Sequence, residues 1–240
     1  MEWNQFLLCD AADLMKEVED KSVDLVFSSL PDISQTHFEK DTVSYKEFQT
    51  NVMKEFARMV KDDGFVVVSQ TDRKINGEIL ANHITYSNAL SECGMKMKDY
   101  KIVVRNEPVD KRDMYYFNYQ QCVIFTRNGT IKRSGDFLKN ILIYNTERIG
   151  NIKGALNSFM WPEPFCHMII DRLTKEGDKV LDPFAASGIS LQVAKEMNRK
   201  YLGCELSKEV YDNSLFNLST LDIMGMTEDQ FQLMGTYTRH

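Results

Sequence analysis

Nothing in the 240-residue chain approaches the ~20 consecutive apolar residues that a membrane span needs. Internal repeats and low-complexity tracts are missing as well. With 43% hydrophobic and 27% charged residues, the composition is that of an ordinary globular protein, neither disordered nor fibrous. Cysteine is sparse and scattered, at positions 9, 93, 122, 166 and 204, with no Cys-x-x-Cys pair and no histidine cluster nearby. Several sit in apolar runs such as FLLCD, QQCVIF and YLGCEL, where a free thiol behaves as a small hydrophobe. Reduced core residues are therefore expected, with no disulfide role. His37, His83, His167 and His240 make neither a metal spacing nor a Ser-His-Asp set, so no metal is expected. The Gly-x-Gly-x-x-Gly fingerprint and the P-loop Gly-Lys-Ser/Thr are both absent. The opening MEWNQFLLCDAADLM is acidic from its second residue and lacks a signal-peptide layout. A cytoplasmic or nucleoid-associated protein with no membrane partner is the expectation.

A net charge of −6 argues against a surface that clings everywhere to nucleic acid. Charge is uneven, however: between Lys96 and Lys139 ten cations face five acids. Lys111, Arg112, Arg127, Lys132 and Arg133 lie there, with Tyr115 in the aromatic run MYYFNYQQ. Together they are the candidate nucleic-acid contacts, combining charge with stacking surfaces. A solvated face, and a hairpin packing its aromatics on a sheet, are the plainer readings of the same residues.

What is present is an alternation of strands and helices. NQFLLCD, VDLVFSS, FVVVSQ, KDYKIVVR, YQQCVIFTR, KVLD and YLGCEL read as strands. SYKEFQTNVMKEFARMVK carries apolar residues at helical spacing, and GEILANHITYSNALSECG reads as a second amphipathic helix stopped by Gly94. PEPFCHMIIDRLTKEGD opens with prolines as helices tolerate, Ser207 is placed to cap KEVYDNSLFNLSTL, and Thr227 to Gln230 spells a capping box. Such alternation predicts one α/β domain over 1–240, a doubly wound, mostly parallel sheet, with 107–157 as a small insertion.

Two strands end in loops of similar construction, FSSLPD at 27–32 and VLDPFAASG at 180–188. In a doubly wound sheet, ligands bind outside the carboxyl ends of the strands. Ala185, Ala186, Ser187 and Gly188 keep that loop's side chains short, so backbone and helix N-terminus can approach a ligand. Asp182 stands at the strand tip as an acceptor for an amine. Glu205 ends the next strand about 20 residues on, where such folds place the acid that holds ribose hydroxyls. The pair indicates a nucleoside-containing cofactor.

The segment GDKVLDPFAASGISLQVAKEMNRKYLGCEL resembles the S-adenosylmethionine-binding half of the amino-group DNA methyltransferases, whose loop usually reads D-P-F-x-G-S-G-T-T. WPEPFCHMIIDRL resembles the H-P-x-P-F-P segment of their permuted group, which modifies N4 of cytosine or N6 of adenine. LLCDAADLMKEVEDKSVDLVFSSLPD is similar to the opening of that group, with its catalytic S-P-P-Y or D-P-P-Y turn. The resemblance covers roughly 5–125 and 158–218. It implies a Rossmann-like methyltransferase fold, S-adenosyl-L-methionine as cofactor, and DNA as substrate, with structured RNA open. Asp182, Phe184, Ala185, Ser187 and Gly188 would surround the methionine part, Glu205 would hold the ribose, and Asp10 with Ala11 the adenine end. Phe165 would pack near the cofactor. For Phe165 and Phe184 plain core packing, and for Asp10 a helix N-cap, explain the residue almost as well.

The catalytic turn departs from the pattern. In the family, the first residue and a carbonyl between the prolines accept hydrogen bonds from the base amine, and the fourth residue, an aromatic, stacks on a flipped base. Here the turn is Ser29-Leu30-Pro31-Asp32. Ser29 and Pro31 fit, and serine there is the form most frequent in N4-cytosine enzymes. Leu30 loosens the turn, and Asp32 removes a stacking contact of ~1–3 kcal/mol. Ala186 and Ile189 are milder departures in the second loop.

Three readings stay open: catalysis lost, a substitute aromatic (His37, Phe38, Tyr115 or Tyr116), or Asp32 as acceptor or general base for another nucleophile. The first would make the chain a non-catalytic, cofactor-binding subunit of a hetero-oligomer. The last includes an enzyme acting on a small molecule or cleaving S-adenosylmethionine itself. The short recognition region predicts relaxed sequence preference, or a second copy or partner subunit that supplies the reading.

Overall fold

Residues 1–38, 40–105, 119–132, 135–144 and 161–215 are described in the computed structural model. Val23 to Phe27 and Phe65 to Val68 are apolar almost throughout, which suits strands covered by helices on both faces. The elements run β1 (Gln5–Leu8), α1 (Ala11–Glu17), β2 (Val23–Ser28), α2 (Thr42–Met59), β3 (Val60–Gln70), β4 (Arg73–Ile75), β5 (Glu78–Leu80), α3 (Asn82–Glu92), β6 (Lys96–Arg105), β7 (Tyr119–Thr126), β8 (Ile141–Tyr144), α4 (Glu163–Leu173), β9 (Lys179–Asp182), α5 (Ile189–Glu196) and β10 (Lys200–Glu205). Residues 208–215 are helical beyond them.

Among the described residues, eight strands form one sheet in the order β1-β10-β9-β2-β3-β7-β6-β8, with β7 alone antiparallel to its neighbours. Alternation along the central strands sorts the core into two layers. Val26, Val66 and Val68 pack with residues of α1, α2 and α3, while Leu25, Phe27, Phe65 and Val67 pack with α4 and α5. This is the doubly wound, mostly parallel sheet that the alternation predicts.

From β2 the chain winds outward through α2 to β3; from β9 it winds the other way through α5 to β10. The strand order therefore reverses between β9 and β2, where such sheets hold ligands. Ser28 Oγ donates to Asp182 Oδ1 across that junction at 2.6 Å, tying the two strand ends together. The first strand closes the β9–β10 side of the sheet: β1 lies beside β10, with Leu8 opposite Glu205. Gly203 faces Asp182 across β10 and β9, and a Cβ there would meet the Asp182 carbonyl oxygen at 2.6 Å and Leu191 Cδ1 at 2.8 Å. No side chain fits.

Two expectations need correction. The helix expected from Gly77 begins only at Asn82, because Glu78–Leu80 pairs with Arg73–Ile75 as a hairpin. Its turn is Asn76-Gly77, with φ of 52° and 87°, the left-handed pair that two-residue hairpins favour. The span 107–157 is not wholly an insertion either, since β7 and β8 lie within it as strands of the main sheet. Residues 106–118 and 145–160 of that region are outside the described residues, and so is the Thr227–Gln230 capping box. All five cysteines are free, and Cys122, Cys166 and Cys204 are buried as expected. Among the described residues no helix is long and apolar enough to cross a membrane.

Candidate active site

A cavity of about 1090 Å³ opens at the carboxyl ends of the parallel strands, lined by the segments that follow β1, β2, β3, β9 and β10. A single small-molecule site occupies roughly 300–1,000 Å³, so this one has room for a cofactor and an acceptor together.

The end of the cavity where the sequence places the cofactor is built by β1, β9 and β10. Asp10 caps α1 by accepting the Ala12 N–H at 2.7 Å, and both Asp10 and Ala11 line the cavity. Glu205 lines it too. One of its oxygens accepts the Ser207 N–H at 2.7 Å, and the other has no partner among the described residues. Phe184, Ala186 and Ser187 form the adjoining wall. Ala186 holds a left-handed φ of 44° and Gly188 one of 73° as the N-cap of α5, a conformation that costs ~1–2 kcal/mol at a residue with a Cβ. A free carboxylate oxygen at a strand tip beside short side chains and half-buried Phe184 fits the ribose, amino-acid and adenine parts of a nucleoside cofactor.

Other residues expected here are placed behind the wall. Asp182 is buried and does not line the cavity. It accepts hydrogen bonds from Ser28 Oγ, Ser190 Oγ (2.5 Å) and the Phe184 N–H (3.2 Å), so it anchors the loop and is not open to an amine. Ala185 is buried in a small core with Phe6 and Leu191, and Gly188 turns the chain into the helix. Phe165 is corrected to a core residue. It is fully buried beneath the sheet, edge-on to Phe27 at 5.8 Å and to Trp161 at 6.1 Å.

Burial pushes the Asp182 carboxyl up to about 6, outweighing the hydrogen bonds from Ser190, Ser28 and the Phe184 amide that favour its anion. The fold thus prefers the protonated form. Stability from this group is fully present below pH ~4 and lost as pH rises through about 6, by about 3 kcal/mol. Asp182→Asn removes that titration. Urea unfolding from pH 4 to 7.5 should show wild type losing about 3 kcal/mol relative to the variant; a pH-independent difference would mean that the carboxyl is not raised.

At the other end, where the sequence places the acceptor, β2 delivers Ser29, Leu30, Pro31 and Asp32 to the cavity. Ser28 turns to Asp182, while Ser29 lines the cavity, and its hydroxyl has no partner among the described residues. The turn is held from three directions. Tyr45 Oη donates to the Pro31 carbonyl at 2.8 Å. Asp32 caps a 3-10 turn, Ile33–Gln35, accepting from Ser34 N at 3.0 Å and Ser34 Oγ at 2.6 Å. Its other oxygen accepts from Arg73 Nε at 2.5 Å. Burial raises the Asp32 carboxyl, but the hydrogen bonds from Ser34 and Arg73 and the guanidinium charge outweigh it, leaving the pKa lowered. Asp32 is therefore held as an anion with both oxygens already accepting hydrogen bonds, an arrangement that makes it a weak proton acceptor.

Behind the turn lies a buried polar network that sequence reasoning missed. Gln70 donates to Tyr45 Oη at 3.4 Å and accepts from Tyr86 Oη. Gln49 donates to Tyr86 Oη at 3.0 Å and to Asn82 at 2.8 Å. The network is incomplete, since Gln49 Oε1 is buried without a partner among the described residues, yet its bonds to Tyr45 and Tyr86 tie α2 and α3 to the end of β3 behind the turn.

His37 and Phe38 line the cavity, with their rings 4.2 Å apart; Tyr116 lies outside the described residues. Of the expected nucleic-acid contacts, Lys111, Arg112, Tyr115 and Arg133 are likewise outside them. Arg127 needs correction. It follows β7 at the opposite end of the sheet, where its guanidinium donates to the Ala57 carbonyl at 2.9 Å and lies 3.8 Å from Asp62. Lys132 is exposed on the same connection. His167 does meet two acids, Glu163 at 3.6 Å and Glu196 at 3.2 Å, on helices away from the cavity.

A family model described as DNA methylase matches residues 139–216. The type II methyltransferase M.BglII of Bacillus subtilis is 23% identical over 237 residues, covering 85% of this chain and 65% of its own length. The chain therefore spans about two thirds of that relative. The cytosine-N4-specific PvuII DNA methyltransferase superposes with a TM-score of 0.74 at 17% identity, covering 88% of this chain and 85% of its own. The chain is thus similar in sequence and in fold to the amino-group DNA methyltransferases. Members of that family are enzymes that use S-adenosylmethionine, and the M1.HpyAVI–SAM complex shares the fold with a TM-score of 0.65 at 19% identity, covering 88% and 96% of the two chains. β2 and its Ser29 turn precede β9 and the loop after it, the chain order expected from the resemblance to the permuted group.

Proposed function

We propose that this chain transfers a methyl group from S-adenosylmethionine to the exocyclic amine of a DNA base, with cytosine N4 favoured over adenine N6. The observation that carries the reading is the continuity of the cavity. One space is lined by Asp10, Ser187 and Glu205 at one end and by Ser29, Leu30 and Pro31 at the other. Ser29, the serine form of the turn, favours cytosine.

Bound S-adenosylmethionine supplies an electrophilic sulfonium methyl. The remaining work falls to residues of this chain. Glu205 and Asp10 hold the nucleoside end, and the Ala186–Ser187 backbone leaves room for the amino-acid end. Ser29 Oγ accepts a hydrogen bond from the base amine, drawing its lone pair out of conjugation with the ring. Tyr45 and the 3-10 turn keep Ser29 from drifting, which is where much of the rate advantage of a preorganised site arises.

The test is methyl transfer itself. Tritiated S-adenosylmethionine is incubated with unmethylated single- and double-stranded DNA, and the nucleosides are separated by mass. N4-methyldeoxycytidine is expected. N6-methyldeoxyadenosine instead would move the acceptor, and transfer to RNA alone would change the polymer. Cofactor binding without transfer to either would favour a non-catalytic subunit, or a required partner or second copy; the departures at Leu30 and Asp32 motivate that second reading.

A further inference from the structure

The position that stacks on the base in the family is occupied here by a carboxylate that cannot stack, and the structure shows what that carboxylate does. Asp32 is only 6% exposed, and both its oxygens are engaged, one by Ser34 and the other by Arg73 Nε at 2.5 Å. Arg73 reaches it from the β4–β5 hairpin, 41 residues on. One hydrogen bond from Nε ties the guanidinium to Asp32, and its two Nη groups have no partner among the described residues. The side chain remains 35% exposed and lines the cavity beside the Ser29 turn. A buried acid thus holds a planar, two-pronged donor at the acceptor end.

We propose that Arg73 contacts the target base, offering its Nη fork to the base edge, and that Asp32 is the positioning residue for that fork. This rests on the methyl-transfer reading above and names the base. A guanidinium fork matches two adjacent acceptors. Cytosine presents such a pair, N3 and O2, on the edge that carries its reactive N4 amine. Adenine has no adjacent acceptor pair beside N6. Arg73 is then a specificity-determining residue, and the loss of the aromatic is offset by an edge contact. A bidentate arginine–base contact contributes ~1–3 kcal/mol, so its loss reads as about a 5- to 150-fold change.

Oligonucleotides whose only amino-bearing base is cytosine or adenine are measured for methyl transfer and, separately, for binding by fluorescence anisotropy with S-adenosylhomocysteine present. R73K keeps the charge and the ion pair with Asp32 but loses the fork; D32N/R73Q removes both charges without leaving a buried anion unpaired. Both variants should raise the apparent KM for the cytosine oligonucleotide, or weaken its binding, by at least ~5-fold, with cofactor affinity unchanged. Rescue by R73K would overturn the proposal, making Arg73 a charge contact to phosphate. Wild-type transfer to adenine alone would overturn it while the methyltransferase reading stands. If wild type transfers no methyl group, that reading falls; Arg73-dependent binding that R73K cannot rescue would still support the base contact, and Arg73-independent binding would overturn it.

Discussion

Phe165→Ala is expected to lower the thermal midpoint by about 6–20 °C and to leave the folded protein's affinity for S-adenosylmethionine unchanged. Phe165 is fully buried between Phe27, Trp161 and Tyr144, with ring separations of 5.8, 6.1 and 6.3 Å. Truncating such a ring costs ~3–5 kcal/mol through lost burial and the cavity left behind. In a chain of this length each kcal/mol moves the midpoint by ~2–4 °C. The residue belongs to a proline-opened segment that resembles one flanking the cofactor, so the resemblance places it at the ligand. The geometry places it beneath the sheet. Scanning fluorimetry with titration calorimetry separates the two. An unshifted midpoint with weakened cofactor binding would return Phe165 to the ligand.

Ser29→Ala is expected to cut the rate of methyl transfer by about 10²–10³-fold, the range seen when one preorganised hydrogen-bonding group at a reacting centre is lost. Cofactor affinity should hold, because Ser29 belongs to the acceptor end of the cavity and the Ser28–Asp182 bond that steadies the junction is untouched. Single-turnover measurement with enzyme in excess gives the chemical step directly. A variant that transfers at the wild-type rate would mean that the acceptor site lies elsewhere than the end of β2.

How much of this was legible beforehand depended on distance along the chain. The Asp-Pro-Phe-Ala-Ala-Ser-Gly loop and Glu205 were readable because strand, loop, helix and next strand follow one another locally. The order of the outer strands was not, and β8 went unread because four residues at a sheet edge carry little periodicity. The β4–β5 hairpin could have been found, since Asn-Gly between short alternating runs is a strong hairpin signal. In the sequence Ile79 and Leu80 continue the apolar pattern of the following helix and mask it. Asp182 looked like a ligand because burial is not written at one position; it follows from Ser28, 154 residues away, and from Ser190. The Asp32–Arg73 pair is of the same kind. It joins two loops, and neither residue announces the other.

The seat of β1 has a consequence for how the molecule comes to be. Glu205, the sheet partner of Leu8, is synthesised almost 200 residues after it. Until β10 arrives, Phe6 and the Asp10 cap have no sheet edge beside them. β2 and β3 pair with each other long before β10 is made and need neither β1 nor β10. The end of the cavity lined by Asp10 and Glu205 therefore forms after the end lined by the Ser29 turn, in a closure whose entropy cost is that of a very long loop.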